Sequence, residues 1–294
     1  MASIPAFSPQ RNGLLRGAEP FSFDPPPGDS PAHRNEATGA GCLLVHGFTS
    51  TPYDARSCGE YLAAAGIPVE GVLLDGHGTC PEELATTRLA DWLRSIREGY
   101  DRLAGRCEHI FGLGISLSGN FLLSLAPFTD FAGLILIGTP LTFRHERAYR
   151  AAYQVLRAVG KRYQKKWYLE HLDETIRAQR PTYDRFPLDC APDCLAAVTW
   201  SRQNLPLVQC PVLIAQSTTD HAVDKRTIAE FCARLGTTDV NVEWFPNRYH
   251  VLLIDHGAEE VFATVRRFIV TRTPRMSPRP AAHVLLTQPA VSPA

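Results

Sequence analysis

Six short apolar runs between residues 42 and 245 set the strongest limit on what this chain can fold into. Each is four to six residues long and rich in Leu, Ile and Val, without alternating apolar and polar residues. Strands buried on both faces of a parallel sheet have this composition. Segments with helical periodicity separate the runs, so the pattern predicts a mostly parallel, doubly wound α/β sheet. The predicted strands are Cys42–Val45, Val69–Leu74, Ile110–Ile115, Leu134–Ile137, Val212–Ala215 and Val242–Phe245.

The helical segments follow the same reasoning. Ala258–Val270 places five apolar side chains on one face, as expected of a helix packed against a sheet. The other segments predicted as helical are Leu84–Leu103, Leu117–Leu125, Ala148–Lys166 and Arg226–Leu235.

Proline marks the limits of the predicted domain, which spans residues 39–271. Seven of the 23 prolines lie in residues 1–38 and five in 272–294. Because proline interrupts helices and central strands, the first segment is predicted to be a partly disordered arm and the last a disordered tail. Phe21 and Phe23 alternate within the arm, as in an edge strand or an anchoring segment.

Residues 141–206 interrupt the alternation of strands and helices. They contain no convincing strand, and their pattern is typical of helices interrupted by proline. An insertion of this size before a late strand is well placed to be a helical cap over an active site. Eight cations lie between Arg144 and Lys166. They are interpreted as a solvated helix face rather than a membrane-binding surface.

Composition argues against several classes of function. The 30 basic residues equal the 30 acidic ones, so a nucleic-acid partner is not expected. The longest apolar run, Phe131 to Gly138, is far short of the roughly 20 residues that span a bilayer. Residues 1–10 lack the features of a signal peptide, which predicts a cytoplasmic protein with its eight cysteines reduced. No Cys or His spacing predicts a metal site, and no cofactor is expected.

A serine follows the third predicted strand directly, in the run Gly114-Ile115-Ser116-Leu117-Ser118, and a helix follows the serine. A turn this tight requires small residues two positions before and two after the serine, and it projects the serine oxygen above the sheet. The next N–H, that of Leu117, then lies at a helix N-terminus. The run therefore predicts that Ser116 is a nucleophile.

A serine becomes nucleophilic only when a base, oriented by a third group, takes its proton. Asp220 follows the fifth predicted strand and His250 follows the sixth, so both are expected at the same sheet edge as Ser116. Alternatives exist for each partner: Asp224, which could cap the next helix, for the acid, and His256 for the base. His221 is interpreted as a loop residue.

The run Leu44-Val45-His46-Gly47-Phe48 supplies the last element. Gly47 allows the chain to turn towards the serine, so the N–H groups of Phe48 and Leu117 are predicted to form an oxyanion hole. His46, which precedes a tight turn, and His77, which lies within the predicted turn Asp75-Gly76-His77-Gly78, are interpreted as structural residues that hydrogen-bond these loops.

Taken together, these motifs resemble the small bacterial carboxylesterases and monoacylglycerol lipases of the α/β-hydrolase superfamily, over about residues 40–271. The motifs are Leu43-Leu44-Val45-His46-Gly47-Phe48-Thr49, Gly76-His77-Gly78, Pro81-Glu82-Glu83-Leu84, Asp91-Trp92, the Ser116 turn, Asp220 and His250. The resemblance implies hydrolysis of short- to medium-chain acyl esters or monoacylglycerols, with an acyl pocket under the cap. Two residues depart from the family pattern: Ser118 replaces a glycine, and Tyr249 replaces a small residue before the histidine.

The first hypothesis is accordingly a serine ester hydrolase with the triad Ser116, Asp220 and His250. A second keeps the triad but changes the bond to an amide, a thioester or a carbon–carbon bond. A third is a non-catalytic binding protein on the same fold.

Overall fold

The computed structural model describes residues 13–26, 39–142, 146–166 and 174–274. Seven strands form one sheet in the order β1-β3-β2-β4-β5-β8-β9, in which every neighbouring pair is parallel except β1 and β3. Its strands are β1 Phe21–Phe23, β2 Ala40–Val45, β3 Val69–Val72, β4 His109–Ile115, β5 Phe131–Ile137, β8 Val212–Ser217 and β9 Val240–Phe245. All six strands predicted from the apolar runs are present.

The helices cover both faces of this sheet. They are α1 Tyr53–Ala64, α2 Pro81–Leu84, α3 Leu89–Ala104, α4 Leu117–Leu125, α5 Glu146–Ala158, α6 Glu174–Gln179, α7 Ala191–Asn204, α8 Ile228–Arg234 and α9 Ala258–Arg272. One apolar cluster packs α3, α4, α7 and α8 against one face, and a second packs α1 and α9 against the other. Successive residues of β2 alternate between them: Leu43 lies in the first cluster and Leu44 in the second. The predicted mostly parallel, doubly wound α/β sheet is confirmed.

The first strand shows how part of the N-terminal arm is ordered. Phe21 pairs with Gly71 of β3, where a Cβ atom would lie 2.3 Å from the phenylalanine ring. The Arg56 guanidinium covers both rings of β1, 4.8 Å from the centre of Phe21 and 5.6 Å from that of Phe23. The alternating phenylalanines therefore form an antiparallel edge strand. Residues 1–12, 27–38 and 275–294, where most of the predicted disorder falls, lie outside the described residues.

The segment of residues 141–206 differs from the sequence prediction. The predicted helix Ala148–Lys166 ends at Ala158, just before Gly160, which adopts a left-handed conformation with φ of 80°. Two strands, β6 Tyr163–Lys165 and β7 Arg185–Pro187, then pair antiparallel. The prediction that the segment lacks strands is therefore wrong. Strands of three residues are too short to show a period, and their pairing depends on contacts about 20 residues apart.

The last helix of that segment, α7, belongs to the main core. Ala197 and Val198 are fully buried in the same cluster as α4, and the Asn120 side chain donates a hydrogen bond to Ser201 Oγ at 2.8 Å. All eight cysteines are free thiols. Across the described ranges, no helix is both long enough and apolar enough to cross a bilayer.

Candidate active site

The turn between β4 and α4 holds Ser116 in a conformation that few residues adopt. Its φ is 55° and its ψ is −125°, outside the regions preferred by L-residues. The Ser116 N–H donates to the Ile137 carbonyl at 2.7 Å, which ties the turn to β5. A Cβ atom on Gly114 would lie 2.6 Å from the backbone nitrogen of Gly119. The glycine before the serine is therefore required by the closeness of the two arms of the turn.

The structure brings Ser116, His250 and Asp220 together at the carboxyl ends of three parallel strands, β4, β9 and β8. Ser116 Oγ lies 2.9 Å from His250 Nε2, and His250 Nδ1 lies 2.8 Å from Asp220 Oδ2. The serine hydroxyl donates to Nε2 when Nδ1–H donates to the carboxylate. This is the hydrogen-bond order that a serine nucleophile, its base and the orienting acid require.

The surroundings of Asp220 hold its carboxylate in place as the hydrogen-bond acceptor of His250. Its side chain is 1 % exposed, and its Oδ1 accepts the N–H groups of Ala222 and Val223 at 2.7 and 3.1 Å. The Gln216 amide donates to Oδ2 at 2.8 Å. Burial alone would raise the pKa of Asp220, but the charge of His250 and the hydrogen bonds from His250, Ala222 and Val223 outweigh it and lower the pKa. The acid therefore stays ionised opposite the imidazole.

Gly138, at the end of β5, leaves room for that imidazole. It adopts φ of 57°, and a Cβ atom there would lie 3.2 Å from His250 Nδ1. Sequence reasoning missed this residue, although a glycine directly after a buried strand was a usable signal.

The alternative residues lie elsewhere. Asp224 caps a short 3₁₀ turn by accepting the Arg226 N–H at 3.1 Å, and it also pairs with the Arg226 guanidinium. The His256 N–H donates to Asp255 Oδ1 at 2.8 Å, next to the start of α9. His221 follows the acid in an exposed loop. The carboxylate that is hydrogen-bonded to His250 is that of Asp220, and the imidazole that is hydrogen-bonded to Ser116 is that of His250.

The loop after β2 approaches the nucleophile from the other side. A Cβ atom on Gly47 would lie 3.8 Å from that of Ser116, so the Gly47–Phe48 backbone runs beside the serine. Leu117 is the first residue of α4, where backbone N–H groups lack helical acceptors. Phe48 and Leu117, the residues predicted to donate to the oxyanion, thus lie on the two chain segments next to Ser116.

His46 fixes this loop as a neutral imidazole. The Leu74 N–H donates to His46 Nε2 at 3.1 Å, so the proton resides on Nδ1, which lies 2.9 Å from the Gly47 carbonyl. Burial lowers the pKa of His46 to about 4, which favours the neutral form near pH 7. The hydrogen-bonding role predicted for this histidine is present.

The two departures from the family pattern have separate structural consequences. The Ser118 hydroxyl donates to the His46 carbonyl, so the extra side chain links α4 to the start of the oxyanion loop. Tyr249 is 37 % exposed, and its N–H donates to Asp255 Oδ2 at 2.5 Å. Tyr249 therefore fixes the histidine loop through its main chain.

A buried polar group that sequence reasoning missed lies behind the oxyanion loop. The Arg180 guanidinium donates two hydrogen bonds to the Asp54 carboxylate, and the two side chains are 5 % and 0 % exposed. Lys166 is also buried, so the prediction of a solvated face is wrong for this cation. Nothing in the sequence distinguishes these charges from exposed ones. Their burial arises from the docking of distant segments.

A family model described as Hydrolase_4, serine aminopeptidase S33, matches residues 36–257. The chain belongs to this family. It is 26 % identical to a protein named carboxylesterase from Bacillus subtilis (strain 168), over 77 % of this chain and 91 % of that protein. It is 29 % identical to a thermostable monoacylglycerol lipase from Bacillus sp. (strain H-257), over 83 % of this chain and 90 % of that protein.

Among solved structures, one from work on two metagenome-derived lipolytic enzymes superposes with a TM-score of 0.75. The two chains are 27 % identical, and the match covers 88 % of this chain and 99 % of the other. Within the described ranges of this family member, no group of His, Cys, Asp and Glu side chains is arranged to hold a metal ion.

Proposed function

We propose that this protein is a serine hydrolase that cleaves carboxylic esters of short to medium acyl chains, including monoacylglycerols. The observation that carries the proposal is the continuous hydrogen-bonded chain from Ser116 through His250 to Asp220. Relatives named carboxylesterase and monoacylglycerol lipase support the choice of an ester as the substrate.

The proposed reaction has two stages. Ser116 Oγ attacks the ester carbonyl while His250 Nε2 takes its proton, and the oxyanion that forms accepts hydrogen bonds from the Phe48 and Leu117 N–H groups. The intermediate collapses, and His250 returns the proton to the leaving alcohol. Water then attacks the acyl-enzyme with His250 as base, which releases the carboxylic acid and restores Ser116. Asp220 stabilises the imidazolium in both stages.

Within residues 141–206, we propose that the part before α7 forms the cap. The helix α7 itself packs in the main core. The cap residues Lys166, Thr182 and Tyr183 contact the loop beside Ser116. An enzyme with eight free thiols suits a reducing compartment, so we also propose a cytoplasmic location, which cell fractionation tests.

A fluorophosphonate probe tests the nucleophile whatever the natural substrate is. Peptide mapping is expected to place the adduct on Ser116, with no labelling of Ser116→Ala and strongly reduced labelling of His250→Ala. Ser124→Ala is the matched control, because it removes a hydroxyl from the same helix that donates to the Asn120 carbonyl rather than to a residue of the site. Full hydrolysis of p-nitrophenyl esters by Ser116→Ala would refute the assignment.

The family description names an aminopeptidase, so an amide is the second candidate substrate. Ester, thioester and amide analogues that share one acyl chain separate the two. A higher kcat/KM on the amide than on the ester would replace the esterase proposal with the amidase one.

A further inference from the structure

Lys166 is an amine buried within the proposed cap, at the end of β6. It is 4 % exposed, whereas its neighbour Lys165 is exposed. Its Nζ donates to Thr49 Oγ1 at 2.6 Å and to Thr182 Oγ1 at 3.0 Å. Burying an amine is unfavourable unless it is hydrogen-bonded. These two contacts help to hold the side chain in place.

Thr49 directly follows Phe48, and its backbone is strained. Its φ is 65°, a value that a β-branched residue rarely adopts. Such a conformation persists only where the surroundings fix it. The Thr49 hydroxyl donates to the Phe48 carbonyl at 2.5 Å. Lys166 Nζ therefore binds Thr49 Oγ1, and this oxygen binds the carbonyl of the peptide between Phe48 and Thr49.

The proposed cap also holds Thr49 through its carbonyl. That carbonyl accepts the Tyr183 N–H at 3.1 Å and the Thr182 hydroxyl at 2.9 Å. Thr182 is itself a partner of Lys166, so the amine contacts both threonines of this small network. The cap therefore binds Thr49 through both its side-chain hydroxyl and its main-chain carbonyl.

The charges around Lys166 do not remove its capacity to donate. Burial and then the nearby Arg180 lower its pKa well below the usual value, while Asp54 and Asp184 oppose them. An ammonium and a neutral amine both carry N–H donors for Thr49 and Thr182. The contact with the loop is therefore compatible with either protonation state.

We propose that Lys166 is a positioning residue of the oxyanion hole. Acting through Thr49, it fixes the peptide on one side of Phe48 and so restricts the direction of the Phe48 N–H on the other. The inference rests on the proposed hydrolase function, and it assigns to the cap a role in transition-state stabilisation.

The test compares Lys166→Met with the matched control Lys165→Met. Losing an oxyanion donor lowers kcat by about 10²–10³-fold, and loosening one is expected to lower kcat by about 10- to 100-fold with KM changed less than about twofold. Thr49→Val removes the connecting hydroxyl, so it should have the same effect. The double variant should lose no more than either single variant, because both break one route. Lys165→Met should match the wild type.

Different results would refute the proposed function and the role of Lys166. A wild-type protein that hydrolyses no ester and takes no fluorophosphonate label would refute the proposed function itself. An active wild type whose Lys166→Met variant keeps kcat within twofold would overturn the role of Lys166 alone, as would losses that add in the double variant. If Lys166→Met does not fold, Thr49→Val decides, since an unchanged kcat there breaks the proposed route.

Discussion

Replacing Asp220 by asparagine keeps the shape of this side chain. It is expected to change which nitrogen of His250, the proposed catalytic base, carries the proton. Backbone N–H groups from Ala222 and Val223 converge on Oδ1, so the amide oxygen of asparagine must occupy that place. The NH₂ group then takes the place of Oδ2 and faces His250 Nδ1. Two donors cannot share a hydrogen bond, so Nδ1 becomes the acceptor and the imidazole proton moves to Nε2.

A protonated Nε2 cannot accept the hydroxyl of Ser116, 2.9 Å away. The imidazolium that forms during the reaction also loses a carboxylate at 2.8 Å. Such a tautomer change lowers kcat by about 10⁴-fold in a serine triad, which corresponds to about 5.4 kcal/mol of transition-state stabilisation. Gln216 can turn its Oε1, which has no partner among the described residues, towards the new NH₂ group. The fold is therefore expected to persist.

The assay is steady-state hydrolysis of p-nitrophenyl butyrate at pH 8, with thermal unfolding as the check on folding. The matched control is Asp224→Asn, which alters the rival carboxylate four residues on. It should keep kcat within about threefold, because asparagine can still cap the 3₁₀ turn and the ion pair that it weakens, with Arg226, is at the surface. If Asp220→Asn kept more than a tenth of the wild-type kcat, or if Asp224→Asn lost as much, the proposed tautomer change at His250 would be refuted.

Three further outcomes test the scaffold around the site. Ser118→Ala leaves the buried carbonyl of His46 without this donor and should lower the free energy of unfolding by about 1–3 kcal/mol in urea titrations; no loss would contradict the proposed link. Arg180→Met removes the cation that pairs with the buried Asp54 carboxylate and should lose about 3–5 kcal/mol, whereas Arg185→Met, from an exposed pair with Glu82, should lose less than about 1 kcal/mol. His46 has a lowered pKa of about 4 in the fold, so between pH 6.5 and 4 the unfolded chain binds the extra proton. The free energy of unfolding should therefore fall by about 3 kcal/mol from this residue over that range, and a His46→Gln variant should show a shallower fall.

The sheet was predictable because burial on both faces leaves a local trace. Runs such as Ile110–Ile115 are apolar throughout, and this property does not depend on which strands become neighbours. The proposed triad was readable for a related reason. Each of its residues follows a strand, and parallel strands of one sheet bring their carboxyl ends to a common edge.

The supports of the site were not predictable in this way. Lys166 and Arg180 belong to residue types whose side chains normally lie in solvent, and their partners Thr49 and Asp54 are more than 100 residues away in sequence. Only the docking of the inserted segment on the loop after β2 makes these side chains interior. Local patterns carry no record of such contacts, so the positioning network emerged only from the structure.

Backbone strain in the described residues is concentrated at the site. The non-glycine residues there with positive φ are Thr49, Ser116 and Asn247. They follow β2, β4 and β9 and lie in the oxyanion loop, the nucleophile turn and the turn that leads to His250. Each such conformation costs on the order of 1–3 kcal/mol and needs a rigid surrounding to persist. The sheet supplies that rigidity beneath Ser116, through the bond from its N–H to Ile137 in β5. Above Thr49 it comes from Lys166, Thr182 and Tyr183. The sheet thus fixes the strained turn at Ser116, and the proposed cap fixes the strained turn at Thr49. The serine hydroxyl lies between these two supports.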